Sequence, residues 1–217
     1  GGTITGVMAV QRAPERYHAW LGSGQMVSPR ETDQRIWADL RRWARARDER
    51  DVLRELERVG EPPYDDPLTY AWVMGYYDKL EGDWDAPAYY TRRGEQSGVG
   101  FMGLAASEYA AVDKVNAVRG LMDVFTQLYP TWQDIDLRAS AASLQVPVYI
   151  FSGEHELDAR RDLSMAWFED LRAPIKRLYT YPRGGHAAAF ENYRAFHRTL
   201  VDEVLPATYP TNPNTTK

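Results

Sequence analysis

The 217-residue sequence contains no cysteine, which excludes disulfide scaffolds and metal sites built on thiolates. Its longest apolar runs, such as residues 146–151, fall far short of the roughly 18 residues that a membrane-spanning helix needs. An excess of positive charge is also missing, since 31 acidic residues outnumber 26 lysines and arginines. We therefore expect neither nucleic acid nor a membrane as a partner. The compartment stays open, with the cytoplasm favoured.

Apolar residues make up 44% of the sequence and aromatic residues 12%, which is enough for a packed core. The chain alternates as helix, strand, helical block, strand, helix, strand, helix, and this order favours a mostly parallel sheet with helices on both faces. We predict that core segments 1–27 and 131–205 enclose a helical cap, or lid, at 28–130. Residues 206–217 are predicted to form a flexible tail.

Local signals place the individual elements. Ser28-Pro29-Arg30-Glu31 has the pattern of a capping box with proline at the first helical position. The run Val146–Phe151 is continuously apolar, as in a buried parallel strand. Further strands are predicted at Tyr17–Leu21 and Ile175–Tyr181, and a single last helix at Asn192–Leu205. The segment 83–103 shows no periodicity and is interpreted as a loop.

Two short segments follow the last two predicted strands and carry the residues of chemical interest. One is Phe151–Glu156, and the other is Tyr181–His186. A carboxylate that orients a histidine base is the arrangement that nucleophilic catalysis needs. We therefore take His186 as the candidate base and Glu156 as the candidate acid, with Asp158 as a second candidate acid. Glu154-His155-Glu156 lacks the spacing of a metal site, and we expect no metal and no cofactor.

The same segments resemble a known family. The stretch Val146–Glu156 followed by Gly185-His186 resembles the acid and histidine loops of the α/β-hydrolase superfamily, where the order is nucleophile, acid, histidine. Further segments resemble its lidded, proline iminopeptidase-like branch: Gln11–Tyr17, Gly22–Val27, Arg30–Asp33 and Val146–Val148. The resemblance implies that the chain is the C-terminal part of an α/β-hydrolase sheet with an inserted helical lid. The family's Gly-x-x-Asp acid loop maps onto Gly153 and Glu156.

The sequence departs from the family pattern at the nucleophile. Its elbow reads Gly-x-Ser-x-Gly, and in this alignment Gly2 is the last glycine and Gly1 follows the serine. The serine itself would then directly precede this chain. Ser23 and Ser97 both lack the elbow pattern, and the family's glycine-rich oxyanion loop is missing. The backbone N–H of Gly1 would donate one hydrogen bond to the oxyanion, and the chain alone is expected to be inactive without an N-terminal fragment of the same protein.

The resemblance implies a serine hydrolase that acts by acyl transfer, as an aminopeptidase releasing proline or a similar small residue from a short peptide or small molecule. Trp84, Tyr89, Tyr90 and Phe101 are the candidate substrate-binding aromatics, and Asp83, Asp85 and Glu95 are candidate partners for the substrate's amine. Three alternatives stay open: an esterase or amidase with the same triad, a relative with an aspartate nucleophile, and a non-catalytic binding protein.

Overall fold

A computed structural model describes residues 2–81, 107 and 109–209 of the chain. The chain divides into two compact units. The first unit joins Gly1–Val27 to Asp136–Lys217, and the second is Ser28–Ile135. Within the described part, no helix is both long and apolar enough to cross a membrane.

The elements follow one another as short strands among many helices. The strands are β1 (Trp20–Ser23), β2 (Val148–Gly153) and β3 (Lys176–Tyr181). The α-helices are α1 (Gly2–Arg12), α2 (Pro29–Ala46), α3 (Arg50–Val59), α4 (Pro67–Met74), α5 (Tyr77–Glu81), α6 (Ala111–Trp132), α7 (Leu137–Ser140), α8 (Asp158–Asp170), α9 (Ala188–Glu191), α10 (Tyr193–Thr199) and α11 (Leu205–Thr208). A 3₁₀ turn at Pro14–Arg16 precedes β1, and a π-helical turn spans Leu200–Val204.

The first unit is built on a parallel sheet in the order β1-β2-β3. The register runs from Trp20↔Val148 to Ser23↔Phe151 on one side of β2, and from Val148↔Lys176 to Gly153↔Tyr181 on the other. All six residues of β2 are buried, as the continuous apolar run predicts for a central strand. Because the strands are parallel, their carboxyl ends meet at one edge, and the loops after them lie together.

Alternating side chains of the sheet pack in opposite directions. Tyr149 and Phe151 of β2 join Tyr181 of β3 in a buried cluster with Ala188 and Val204 from the C-terminal helices. Two aromatic rings stack within this cluster, with the Phe151 and Tyr179 centroids 5.1 Å apart. The C-terminal helices are therefore anchored to the sheet beside the site described below.

The second unit is helical. Ser28 begins α2 as predicted, because its side chain accepts a hydrogen bond from the Glu31 N–H at 3.4 Å. The Glu31 carboxylate instead pairs with Arg35. Inside this unit the Tyr129 hydroxyl donates to buried Asp33 at 2.7 Å and accepts from the Tyr64 N–H at 3.2 Å.

Several predicted boundaries differ from the structure. β1 starts at Trp20 rather than at Tyr17, because the 3₁₀ turn shifts the chain and leaves Tyr17 and His18 exposed. The predicted last helix at 192–205 corresponds to α10, a π-helical turn and the first residue of α11, and the short helix α9 precedes it. Helix α11 reaches Thr208, inside the predicted tail, while residues 210–217 and the predicted loop at 83–103 lie outside the described residues.

Candidate active site

Glu156 and His186 meet at the carboxyl edge of the sheet. The Oε2 atom of Glu156 lies 2.6 Å from Nδ1 of His186. The Glu156 side chain is only 4% exposed, whereas that of His186 is 50% exposed. An ionised carboxylate can only accept, so Nδ1 carries the proton and Nε2 is left as the basic nitrogen. A buried acid is therefore bonded to a ring that is half exposed.

The two loops that carry this pair are locked together through their backbones. The Glu154 N–H donates to the Tyr181 carbonyl at 3.0 Å, and the His155 N–H donates to the Gly184 carbonyl at 2.9 Å. Glycine is required at position 153, because a β-carbon there would collide with the Gly184 carbonyl oxygen. The loop after β2 and the loop after β3 are therefore joined directly beneath the pair.

The second oxygen of Glu156 is also held. Its Oε1 atom accepts from the Leu157 N–H at 3.0 Å and from the Arg160 guanidinium at 3.2 Å. Burial on its own would raise the pKa of Glu156, but the hydrogen bond and charge of His186 and the charge of Arg160 outweigh it, so that pKa is lowered. The acid is thus kept ionised although it is buried.

The His186 ring also lies close to Gly24, the residue after β1. A β-carbon at Gly24 would lie 2.7 Å from Cε1 of that ring, and Gly24 also has a φ of +58°. Glycine suits both the left-handed backbone and the close contact. Among the described residues no hydrogen bond is made by Nε2, so this nitrogen is open to a reacting group.

A further carboxylate, Glu191 at the end of α9, reaches the histidine loop. Its Oε2 atom accepts from the Gly185 N–H at 2.5 Å. Burial raises the pKa of Glu191, with the negative charge of Glu156 adding to the shift. This residue belongs to the support of the site rather than to the Glu156–His186 pair itself.

The other sequence candidates lie elsewhere or outside the described part. Asp158 pairs with Arg161 at 2.5 Å, and its side chain is 74% exposed. Ser23 accepts a hydrogen bond at its hydroxyl from the Ala189 N–H at 3.3 Å. The structure thus brings Glu156, and not Asp158, to His186. The following candidates lie outside the described residues: Gly1, Asp83, Trp84, Asp85, Tyr89, Tyr90, Glu95, Ser97 and Phe101.

Sequence reasoning missed Arg160 and Glu191. Arg160 had only a weak signal: it stands four residues after Glu156, but Glu156 lies before the start of α8, where helical spacing does not yet apply. Glu191 had none, since its role depends on how the chain turns back after His186. Its partner is a backbone amide, which no residue pattern reveals.

Comparison with known proteins gives one informative similarity. The chain is 23% identical over 201 residues to a protein called probable aminopeptidase YbaC from Bacillus subtilis (strain 168). The match covers 92% of this chain and 61% of that relative. The chain therefore spans less than two thirds of the relative's length.

No protein-family model matches the sequence. Among solved structures, VinJ is similar with a TM-score of 0.49 and 18% identity, over 95% of this chain and 63% of VinJ. That likeness leaves the fold family of the chain open.

Proposed function

We propose that the chain is the acid- and base-bearing part of a serine hydrolase with aminopeptidase activity. The 2.6 Å contact between Glu156 and His186 carries the proposal. An acid that fixes the tautomer of a histidine with a free second nitrogen is the arrangement that activates a nucleophilic hydroxyl. We place that hydroxyl on a serine that directly precedes Gly1, as the resemblance of the first residues to a nucleophile elbow implies.

The proposed reaction is acyl transfer in two halves. Nε2 of His186 takes the serine proton while the serine oxygen bonds to the substrate carbonyl carbon. The resulting oxyanion accepts backbone hydrogen bonds, one of them from Gly1. His186 then gives the proton to the leaving amine, and a water molecule repeats the sequence to release the acid. Glu156 stays ionised throughout and holds the Nδ1 proton.

The choice of Glu156 as the acid rests on two differences from Asp158. Glu156 is buried and bonded to the histidine, while Asp158 is exposed and paired with Arg161. A buried charge with defined partners is the more effective orienting group, because water does not screen it.

The aminopeptidase assignment rests on the similarity to probable aminopeptidase YbaC together with the resemblance to proline iminopeptidases. Such an enzyme must bind the free amine of its substrate, and a buried ammonium without a partner is unfavourable. We propose Asp83, Asp85 and Glu95 as carboxylates available for this and Trp84, Tyr89, Tyr90 and Phe101 as substrate-binding aromatics; all seven lie outside the described residues.

The test uses the longer protein that includes the segment before Gly1, assayed with proline p-nitroanilide, alanine p-nitroanilide and p-nitrophenyl acetate. We expect anilide hydrolysis, and we expect Glu156→Gln to lower kcat by about 10³–10⁴-fold, as for loss of the orienting acid elsewhere. Asp158→Asn is the matched control and should keep the wild-type rate.

The outcomes separate the candidate functions. Hydrolysis of the ester but of neither anilide would replace the aminopeptidase by an esterase. A loss in D158N with full activity in E156Q would contradict the assignment of the acid. No turnover of any substrate by the longer protein would contradict the hydrolase and favour a binding protein.

A further inference from the structure

Glu191 contacts the backbone immediately before His186. Its carboxylate accepts from the Gly185 N–H at 2.5 Å. The Ala187 N–H, immediately after the histidine, helps to lower the pKa of the same carboxyl group. The Glu191 side chain is therefore tied to the backbone that presents the imidazole ring.

The next residue holds the outer part of the same loop. Nδ2 of Asn192 donates to the Arg183 carbonyl at 3.1 Å and to the Ala188 carbonyl at 3.2 Å. Its amide group would also lie 3.0 Å from a β-carbon at Gly184. Glu191 and Asn192 thus bind the donors and the acceptors of the histidine loop, respectively.

Burial of the Glu191 carboxylate is unfavourable for its charged form. Burial raises the pKa of Glu191, and the charge of Glu156 raises it further, whereas the hydrogen bonds of Gly185 and Ala187 and the charge of His186 oppose the rise. A carboxyl group whose pKa is raised on folding is unfavourable when ionised at neutral pH. Glu191 is therefore poorly explained as a stabilising group, and its contacts point to the geometry of the loop.

The 2.6 Å bond from Nδ1 to Glu156 makes that geometry critical. The His186 side chain is half exposed, so few neighbours restrain the ring apart from Glu156 and Gly24. A loop displacement of about 1 Å would turn the bond into a contact too long for a hydrogen bond. Small misplacements of this kind reduce catalysis by orders of magnitude.

From these contacts we infer that Glu191 is a positioning residue for His186. Its carboxylate fixes the Gly185 amide directly before the histidine and thereby keeps Nδ1 on Glu156 and Nε2 open. Its significance for catalysis rests on the function proposed above, but the positioning itself is a property of the chain that is measurable without turnover.

The test is the tautomer of the His186 ring, read from long-range ¹H–¹⁵N correlation spectra of the ¹⁵N-labelled chain at a pH where the rings are neutral. The tautomer of an imidazole follows the hydrogen bond that its other nitrogen makes. We expect the Nδ1-protonated form to dominate in the wild type and to lose its dominance in Glu191→Ala. Glu191→Gln keeps one acceptor oxygen, so it should show an intermediate population and a melting temperature no lower than wild type.

The controls separate positioning from general damage. Glu203→Ala removes another carboxylate acceptor, which binds the Tyr179 hydroxyl at 2.8 Å, and it should leave the His186 signals unchanged. The other three histidines of the chain serve as internal references for folding. If E191A does not fold, the tautomer population of His186 in E191Q tests the inference instead. A wild-type tautomer population in the folded E191 variants would overturn the inference.

Failure of this inference differs from failure of the proposed function. A changed tautomer in E191A with no hydrolysis by the longer protein would retain the positioning role and reject the hydrolase. An unchanged tautomer in E191A, together with full hydrolase activity of the longer protein, would reject the positioning role and retain the hydrolase.

Discussion

Glu156 uses both carboxylate oxygens, one for His186 and one for Arg160. The ion pair with Arg160 is buried, with side-chain exposures of 7% and 4%. Removing one partner of such a pair leaves an uncompensated buried charge, which is strongly unfavourable. Arg160 should therefore matter for stability as well as for the ionisation of the acid.

Replacing Arg160 by methionine should destabilise the protein by about 3–5 kcal/mol at pH 7, because Glu156 loses its buried counter-charge. The lowered pKa of Glu156 contributes stability that is complete above its unfolded pKa and is lost as the pH falls through its lower, folded pKa. The difference between wild type and R160M should therefore shrink under acidic conditions. Urea unfolding at pH 7 and at acid pH measures it.

Arg161→Met is the matched control, because the neighbouring arginine pairs with exposed Asp158. Surface pairs of this kind contribute about 1 kcal/mol or less. Equal losses for the two variants at pH 7, or a loss for R160M that does not change with pH, would contradict the role given to the buried pair.

Residue patterns make Glu156 and His186 candidates, because each lies in a glycine-containing segment that follows a predicted strand. The same patterns leave Asp158 open as an alternative acid. Two carboxylates only two residues apart cannot be told apart until the direction of each side chain is known. The structure separates them by burial and by partner. Their catalytic roles stay predictions until the longer protein is assayed.

The strands were predicted with uneven accuracy. β2 was predicted well because a fully buried strand is apolar at every position, and β3 starts within one residue of its prediction. β1 was misplaced because Tyr17 and His18 have strand-like side chains yet are exposed. Strand propensity alone does not show which residues pair with a neighbouring strand.

The contact between the loops after β2 and β3 depends on Gly153. Gly153→Ala would press a methyl group against the Gly184 carbonyl and should destabilise the protein by about 1–3 kcal/mol. The same change should weaken the Glu156–His186 bond. Thermal unfolding and the His186 tautomer measure the two effects.

Gly120→Ala supplies the control within α6, because nothing lies within 4 Å of a β-carbon at that position. Alanine is the better helix former, so G120A should stabilise the protein by about 0.5–1 kcal/mol. A G153A variant as stable as wild type, with an unchanged tautomer, would show that the two loops are held together by other contacts.

The chain as a whole forms two units, one with the three-stranded sheet and one helical. The predicted helical lid and the α/β-hydrolase sheet concern the longer protein, and they stay predictions because three strands and a TM-score of 0.49 do not identify a fold family. Sequence could supply Glu156 and His186 as candidates because both lie in this chain. It could not supply the nucleophile, which the proposal places before Gly1.

The central claim is that His186 and Glu156 activate a serine hydroxyl. Its most direct test is the intact mass of the longer protein, with the segment before Gly1, after incubation with a fluorophosphonate. We predict one covalent adduct in the wild type, loss of labelling in His186→Ala, and normal labelling in the exposed-histidine control His197→Ala. No adduct on the folded wild-type protein, or equal labelling of wild type and H186A, would contradict the account.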